Sequence, residues 1–150
     1  MNAGTAGRRR LFYLLLALDV ALIVFILTRS LKPAEASDEE SGGWLALLQN
    51  VLPSLTMYAV RKLAHFTEFF LLGGLLALTC RLRRGPALWL PLGVSALVAC
   101  ADETIQRFVP GRSGALKDVA LDCAGALTAV LLVWLAVRLR RRRASKKAAS

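Results

Sequence analysis

The polar residues best suited to chemistry lie inside or beside long apolar runs, and they recur at helical spacing. Residues three or four positions apart share one face of a helix. The pairs are His65 with Glu68, Asp102 with Gln106, and Asp118 with Asp122. A histidine near carboxylates can transfer protons, and a carboxylate can orient the imidazole or hold a divalent cation. These pairs predict one polar site to which three helices contribute.

Depth along the apolar runs indicates where this site lies. His65 and Glu68 lie near the start of their run, whereas Asp102 and Gln106 lie near the end of theirs. At about 1.5 Å per residue, these four side chains fall about 5–10 Å below the same end of a helical bundle. Asp122 lies about one turn into its own run, at that same end. We therefore expect one polar layer.

Basic side chains at the rim of this layer could hold an anionic group. Arginine binds phosphate through two parallel hydrogen bonds, and the 110–114 loop, Pro-Gly-Arg-Ser-Gly, is short and flexible enough to present backbone N–H groups. Candidate proton-transfer residues are His65, Glu68 and Asp102. Candidate ligand-binding residues are Lys62, Gln106, Arg112, Asp118 and Asp122. We assign no metal site, because carboxylate-bridged sites use the HxxE spacing repeatedly, and no motif identifies a cofactor.

An ion-pair network could explain the same residues without a ligand. Five acids face five bases, so the charges nearly balance. The acids are Glu68, Asp102, Glu103, Asp118 and Asp122, and the bases are Arg61, Lys62, Arg107, Arg112 and Lys117. Glu103 and Arg107 are four residues apart, so we expect this pair to serve structure rather than chemistry.

Membrane spans must carry these residues, since the chain is both apolar and basic. Of its 150 residues, 56% are hydrophobic, the mean hydropathy is +0.53 and the formal net charge is +10. Four apolar segments of about 18–22 residues are each long enough to cross a hydrocarbon core of ~30 Å. We expect spans at about 11–28, 61–80, 87–108 and 118–137. The predicted fold is all-α, an integral membrane four-helix bundle in which Gly125 and the Gly73–Gly74 pair let helices approach closely.

Basic residues set the orientation of this bundle. They cluster in residues 1–10, in a tight turn at 81–86 and in the tail at 138–150, whereas the long connection after the first span carries more acids than bases. The positive-inside rule therefore places both termini in the cytoplasm, in a bacterial cytoplasmic membrane crossed several times. Juxtamembrane anchoring explains the basic clusters, so we expect no nucleic acid partner. Trp44–Leu48 is predicted to lie as an amphipathic turn in the interface, and Pro53 to separate it from the second span.

Three further features are assigned to structure rather than to function. Asp19 lies near the middle of the first span, where a charge costs about 2.5–3.5 kcal/mol, so we expect a neutral acid hydrogen-bonded between helices. Cys80, Cys100 and Cys123 lie in apolar runs without a CxxC motif, and we expect them to pack as small residues. The first span resembles a secretory signal with a candidate cleavage site at Ala34-Glu35-Ala36. Its apolar stretch is long for a signal, so we expect an uncleaved anchor.

Three blocks of the sequence carry a family resemblance. They are Arg61-Lys62-x-Ala64-His65-Phe66-x-Glu68-Phe69, then Asp102-Glu103-x-x-Gln106-x-Phe108-x-Pro110-Gly111-Arg112, and then Asp118-x-x-x-Asp122-x-x-Gly125. In these blocks the chain resembles the VanZ-like membrane protein family, which implies a small multi-span protein. The founding type of that family is associated with low-level resistance to the glycopeptide teicoplanin. Two residues depart from the family pattern: Phe69 stands where Tyr is usual, and Asp122 where Asn is common.

Three functions are open from the sequence. The leading hypothesis is recognition of an anionic, lipid-linked envelope molecule at the outer leaflet, either a cell-wall precursor or a phospholipid headgroup, with a contribution to teicoplanin resistance. The second is a membrane enzyme that acts on a lipid headgroup or phosphoester, with His65 and Glu68 as acid and base. The third is a purely structural ion-pair layer in a membrane interaction protein. The lipid bilayer is a partner in all three.

Overall fold

Five α-helices make up the structure, a computed structural model that describes residues 3–84, 88–112 and 114–149. They are α1 (Ala3–Ser30), α2 (Ala34–Gln49), α3 (Met57–Arg84), α4 (Trp89–Gln106) and α5 (Leu116–Ala149). No strand occurs in those residues, which confirms the all-α prediction. The end of the predicted tight turn at 85–86, the predicted start of the third span at Ala87, and Ser113 of the 110–114 loop lie outside the described residues.

Three helices in the described part of the chain are long and apolar enough to cross a membrane: Thr5–Ser30, Met57–Arg83 and Leu116–Ser145. The third predicted span, α4, is not among them. Its 18 residues would extend about 27 Å, but Asp102, Glu103 and Gln106 at its end make it less apolar. The chain is therefore a helical membrane protein. The fourth crossing, the four-helix bundle and the cytoplasmic position of both termini stay predictions.

Contacts at opposite ends of α1 show how the helices are oriented. Near the start of α1, Arg8 Nε donates a hydrogen bond to Leu82 O near the end of α3, at 3.1 Å. Near the end of α1, Arg29 Nε lies 3.3 Å from Glu68 Oε1 in the first half of α3. These two helices are thus antiparallel. The end of α1 and the start of α3 therefore lie at the same end of the molecule.

Small residues let α5 lie directly against α3, the most extensive helix pair in the structure. A Cβ added at Gly73 would lie 2.7 Å from Ala126 Cα, and one added at Gly125 would lie 2.5 Å from Phe66 O. Neither position has room for a side chain, which confirms the predicted close approach. The buried core beside this contact consists of Ile26, Phe69, Leu72, Val98 and Ala99.

Asp19 of α1 is bonded to α3 inside the membrane-spanning part of the molecule. Its exposed fraction is 2%, and Thr79 Oγ1 donates a hydrogen bond to Asp19 Oδ2 at 2.7 Å. A bare charge facing lipid would be costly, and burial against a hydroxyl donor avoids that exposure. The predicted hydrogen bond between helices is confirmed.

The connection after the first span differs from its prediction, because α2 is a 16-residue helix rather than a polar loop with one amphipathic turn. Alanine and glutamate, which favour helix, fill much of its first half, and Pro33 immediately precedes it. Contacts distant in sequence also support it. The Ala34 N–H donates to Pro110 O at 3.3 Å, and Arg112 Nη2 donates to Ser37 Oγ at 3.3 Å. Closer in sequence, Lys32 pairs with Glu40. This lysine lowers the pKa of Glu40, chiefly through its hydrogen bond.

Two helix boundaries bear on other predictions. The helix α2 ends at Gln49 and α3 begins at Met57, so Pro53 separates them as predicted. The helix α5 continues to Ala149, beyond the predicted end of the fourth span at 137, so the basic tail is helical over its described residues. Arginine and lysine are good helix formers, which explains why the helix does not end where the apolar run does.

Candidate functional site

A polar cavity of about 20 Å³ lies at the end of the molecule where α1 ends and α3 begins. The ionisable residues that line it are Arg29, Arg61, His65, Glu68, Asp102 and Arg112. They come from α1, α3, α4 and the loop after α4, and α2 adds the hydroxyl groups of Ser37 and Ser41. Since a buried water needs about 10–15 Å³, this cavity has room for one water-sized group in this conformation.

Asp102 is the most completely hydrogen-bonded acid of the cavity. Its exposed fraction is 1%. Ser30 Oγ of α1 donates to Asp102 Oδ1, and Gln106 Nε2 donates to Asp102 Oδ2 at 2.8 Å. Asp102 and Gln106 therefore share one face of α4, as predicted. The two donors, Ser30 and Gln106, fix the orientation of the Asp102 carboxylate.

His65 brings the three predicted helices together. Its Nδ1 lies 3.7 Å from Asp102 Oδ2 of α4 and 3.7 Å from Asp122 Oδ1 of α5. Both distances are too long for a hydrogen bond, and Nδ1 has no hydrogen-bond partner in the described part of the chain. The structure thus places these three side chains together, with the imidazole between two carboxylates.

Two buried acids beside His65 keep oxygen atoms without a partner among the described residues. Asp122 has an exposed fraction of 0%, and neither of its carboxylate oxygens accepts a hydrogen bond. Glu103 has an exposed fraction of 3%. Its Oε2 accepts the Ala115 N–H at 2.8 Å, whereas its Oε1 has no partner. The expected pair of Glu103 with Arg107 is not among the ion pairs of the described residues, since Glu103 turns toward the start of α5 instead.

The basic residues at the rim are engaged with the protein itself. Lys62 pairs with Asp118, as the structural alternative allows, and Arg61 Nη1 lies 3.1 Å from Asp38 Oδ1 of α2. Lys62 and Asp118, which were both predicted to bind a ligand, therefore neutralise each other. A ligand would have to compete with these carboxylates for the basic side chains.

Arg112 holds three elements together. Its Nη1 donates to Arg29 O at 3.3 Å and to Ser30 O at 3.4 Å, at the end of α1. Its Nη2 donates to Ser37 Oγ of α2 at 3.3 Å. Burial, and then the charge of Arg61, lowers the pKa of Arg112. The predicted contact of Arg112 with a ligand stays a prediction beside this structural role.

Sequence reasoning missed the contribution of α1 and α2. Arg29 ends the first span at the same depth as Glu68, and its guanidinium lies within 3.9 Å of Glu40 as well. The depth argument, applied to the first span as it was to the others, would have placed Arg29 and Ser30 in the layer. No comparable signal marks Ser37 or Ser41, because their burial depends on the fold of α2 against the loop after α4.

An apolar groove of about 520 Å³ lies beside the polar cavity. Its apolar wall consists of Trp44 and Leu48 from α2 and of Val60, Leu63 and Leu71 from α3. Four residues line both spaces: Arg29, Ser41, Ala64 and Glu68. A molecule in the groove would therefore have its polar end at the charged lining of the cavity.

These features define a helical membrane protein with a buried polar site at one end and an apolar groove beside it. The model of the VanZ/LLP1 family matches residues 11–137, which is most of the chain. The protein belongs to that family, as the polar motifs indicated. Neither a curated protein nor a solved structure matches the chain.

Proposed function

We propose that this VanZ/LLP1 protein binds an anionic, lipid-linked molecule of the bacterial envelope, with the lipid chain in the apolar groove and the headgroup at the polar cavity. A lipid-linked cell-wall precursor and a phospholipid share this chemistry. The observation that carries the proposal is that the two spaces are adjacent and share four lining residues, Arg29, Ser41, Ala64 and Glu68. A polar and an apolar surface lie side by side there, and they match the polar headgroup and the apolar chain of an amphiphile.

The headgroup must supply most of the selectivity in this proposal. A lipid chain that leaves the bilayer for the groove exchanges one apolar environment for another, so it gains little hydrophobic free energy. The cavity lining offers three arginines against two acids, Glu68 and Asp102, so its formal charge favours an anion. Arg29 is the best placed of the three, because it lines both spaces, where a headgroup would compete for it with Glu68 at 3.3 Å and Glu40 at 3.9 Å.

Orientation and location complete the proposal. The basic clusters at Arg8–Arg10 and at Arg138–Arg143 lie at the end of the molecule away from the polar cavity, so the positive-inside rule puts the cavity at the outer leaflet of the cytoplasmic membrane. The lipid-linked precursor would then be bound with its headgroup at that leaflet. A protein that holds such a precursor would shield it, and this is the route by which we propose a contribution to teicoplanin resistance.

Filling the junction tests the proposal. We expect Ala64→Phe to lower the amount of anionic lipid that co-purifies with the detergent-solubilised protein about tenfold, because the ring would be added where the groove and the cavity share their lining; this corresponds to about 1.4 kcal/mol of binding free energy. Native mass spectrometry and lipid extraction measure it. The control is Ala101→Phe, which adds the same ring at an exposed position of α4. Equal lipid content in both variants and the wild type would contradict the proposal.

Headgroup chemistry is the second candidate, and one observation favours it. His65 Nδ1 has no hydrogen-bond partner in the described residues and lies 3.7 Å from two carboxylates, an arrangement that can accept and return a proton. The same mass spectra distinguish the candidates. A binding protein retains an intact lipid of the host, whereas an enzyme depletes one lipid and accumulates its cleaved product.

A further inference from the structure

We infer that His65, Asp102, Glu103 and Asp122 form a binding site for one divalent cation beside the polar cavity. The four residues come from α3, α4 and α5, and each offers one ligand atom. The inference goes beyond lipid binding and does not depend on it. It also revises the expectation of no metal site, which rested on the weakness of a single HxxE pair as a metal signal.

The distances suit a shared cation. The four ligand atoms all lie within 4.8 Å of one another. Two ligands on opposite sides of a cation are about 4.4 Å apart when each metal–ligand bond is about 2.2 Å. The observed limit of 4.8 Å is close to this separation, so the four atoms lie near enough to share one cation after rotation of their side chains.

The unpartnered atoms of the group point to the same ligand. His65 Nδ1, Glu103 Oε1 and both oxygens of Asp122 are buried and have no hydrogen-bond partner among the described residues. Asp122 is fully buried. An ionised carboxylate left alone in such a place costs several kcal/mol, and the structure brings three carboxylates to the same spot. A divalent cation would compensate that charge and use every one of these free lone pairs.

The remaining oxygens of the group have the partners that ligand carboxylates usually have. Asp102 accepts hydrogen bonds from Ser30 and Gln106, and Glu103 accepts one from the Ala115 N–H. Such outer partners orient a ligand while leaving its other lone pairs for the metal. The nearby Lys62 does not replace a cation, because it pairs with Asp118.

The ligand chemistry indicates which cations would bind. One imidazole nitrogen with three carboxylate oxygens suits Mn²⁺ or Zn²⁺, whereas Ca²⁺ takes six to eight oxygen ligands and Cu⁺ prefers sulfur. His65 and Asp102 also line the polar cavity, so the cation would lie next to the position proposed for the headgroup. It would then add a positive charge to the surroundings of an anionic ligand.

A metal titration of the tag-free, full-length protein tests the inference. We expect the protein, stripped with EDTA and dialysed in detergent, to bind about one Mn²⁺ or Zn²⁺ per chain by calorimetry and elemental analysis. Asp122→Asn, which keeps the shape of the side chain, should weaken that binding about tenfold or more. The control is Glu39→Gln, which removes an acid at an exposed position of α2 outside this group, and it should bind as the wild type does.

Two results would overturn the inference: a wild type that binds neither cation near one per chain, and an Asp122→Asn variant that binds as tightly as the wild type. Asp102→Asn provides a second variant in case the first does not fold, with the same expected loss. Because the titration uses lipid-depleted protein, failure of the proposed lipid binding would leave its result unchanged. Conversely, if the protein bound no metal, the lipid content of Ala64→Phe and Ala101→Phe would still test the proposed lipid binding.

Discussion

Replacing Arg112 by alanine should lower the free energy of unfolding by about 2–4 kcal/mol. The guanidinium donates to Arg29 O and Ser30 O at the end of α1 and to Ser37 Oγ of α2, at 3.3–3.4 Å. Hydrogen bonds to a charged group contribute about 1.5–3 kcal/mol, and a buried acceptor left without its donor adds a further cost. Burial also lowers the pKa of Arg112, as expected for a guanidinium that is partly removed from water. Thermal or denaturant unfolding in detergent measures the change.

The matched control for this variant is Arg107→Ala, which removes an exposed arginine from the end of α4. We expect a change within about 0.5 kcal/mol there. Arg112→Lys should give an intermediate loss, since an ammonium group cannot reach α1 and α2 together in the planar geometry of a guanidinium. If Arg112→Ala and Arg107→Ala unfold at the same temperature, Arg112 does not join these elements.

Valine in place of Gly125 should destabilise the folded state by about 3 kcal/mol or more, at or above the upper end of the usual cost of overpacking a core position. A Cβ at this position would lie 2.5 Å from Phe66 O and 3.2 Å from Phe70 N, both backbone atoms of α3. Backbone cannot rotate away as a side chain can, so α3 and α5 would have to separate. Asp122 lies three residues earlier on α5, and that separation would also withdraw it from His65. Size-exclusion chromatography and thermal unfolding of the purified variant measure the outcome.

A second glycine supplies the control for this prediction. Gly93 of α4 is exposed, and a Cβ there would meet nothing within 4 Å. We expect Gly93→Val to elute as a monodisperse peak with a melting temperature close to that of the wild type. A Gly125→Val protein that folds as well as Gly93→Val would show that α3 and α5 do not approach as closely as described.

The convergence of the polar residues could be predicted because helix geometry is regular. Because the rise per residue is fixed, the position of a residue in an apolar run gives its depth in the bundle. Residues three or four positions apart lie on the same face of the helix. This reasoning placed His65, Asp102 and Asp122 at one level, and the structure brings them together. The same reasoning could not decide which of the neighbouring acids and bases would pair, because side-chain choice among several partners within reach depends on local packing.

The helix α2 could not be predicted from local sequence. Its Gly42–Gly43 pair disfavours one continuous helix on propensity, although the Ala and Glu residues of its first half favour a helix. Its structure instead depends on partners distant in sequence, including Pro110 and Arg112 of the loop after α4. The groove was missed for the same reason, since one of its two walls is the Trp44–Leu48 part of α2. Segments about 75 residues apart can contact each other without producing a periodic pattern in the sequence of either segment.

Photolabelling by a lipid tests the central claim most directly, which is that an anionic amphiphile lies in the groove with its headgroup at the cavity. The wild-type protein is placed in nanodiscs with a phosphatidic acid that carries a diazirine in its acyl chain, irradiated, digested and mapped by mass spectrometry. We predict adducts concentrated on the groove walls, at Trp44–Leu48 and at 63–71. Adducts spread evenly over the exposed apolar faces of the other helices, at Leu14, Leu97 and Leu132, would contradict the account.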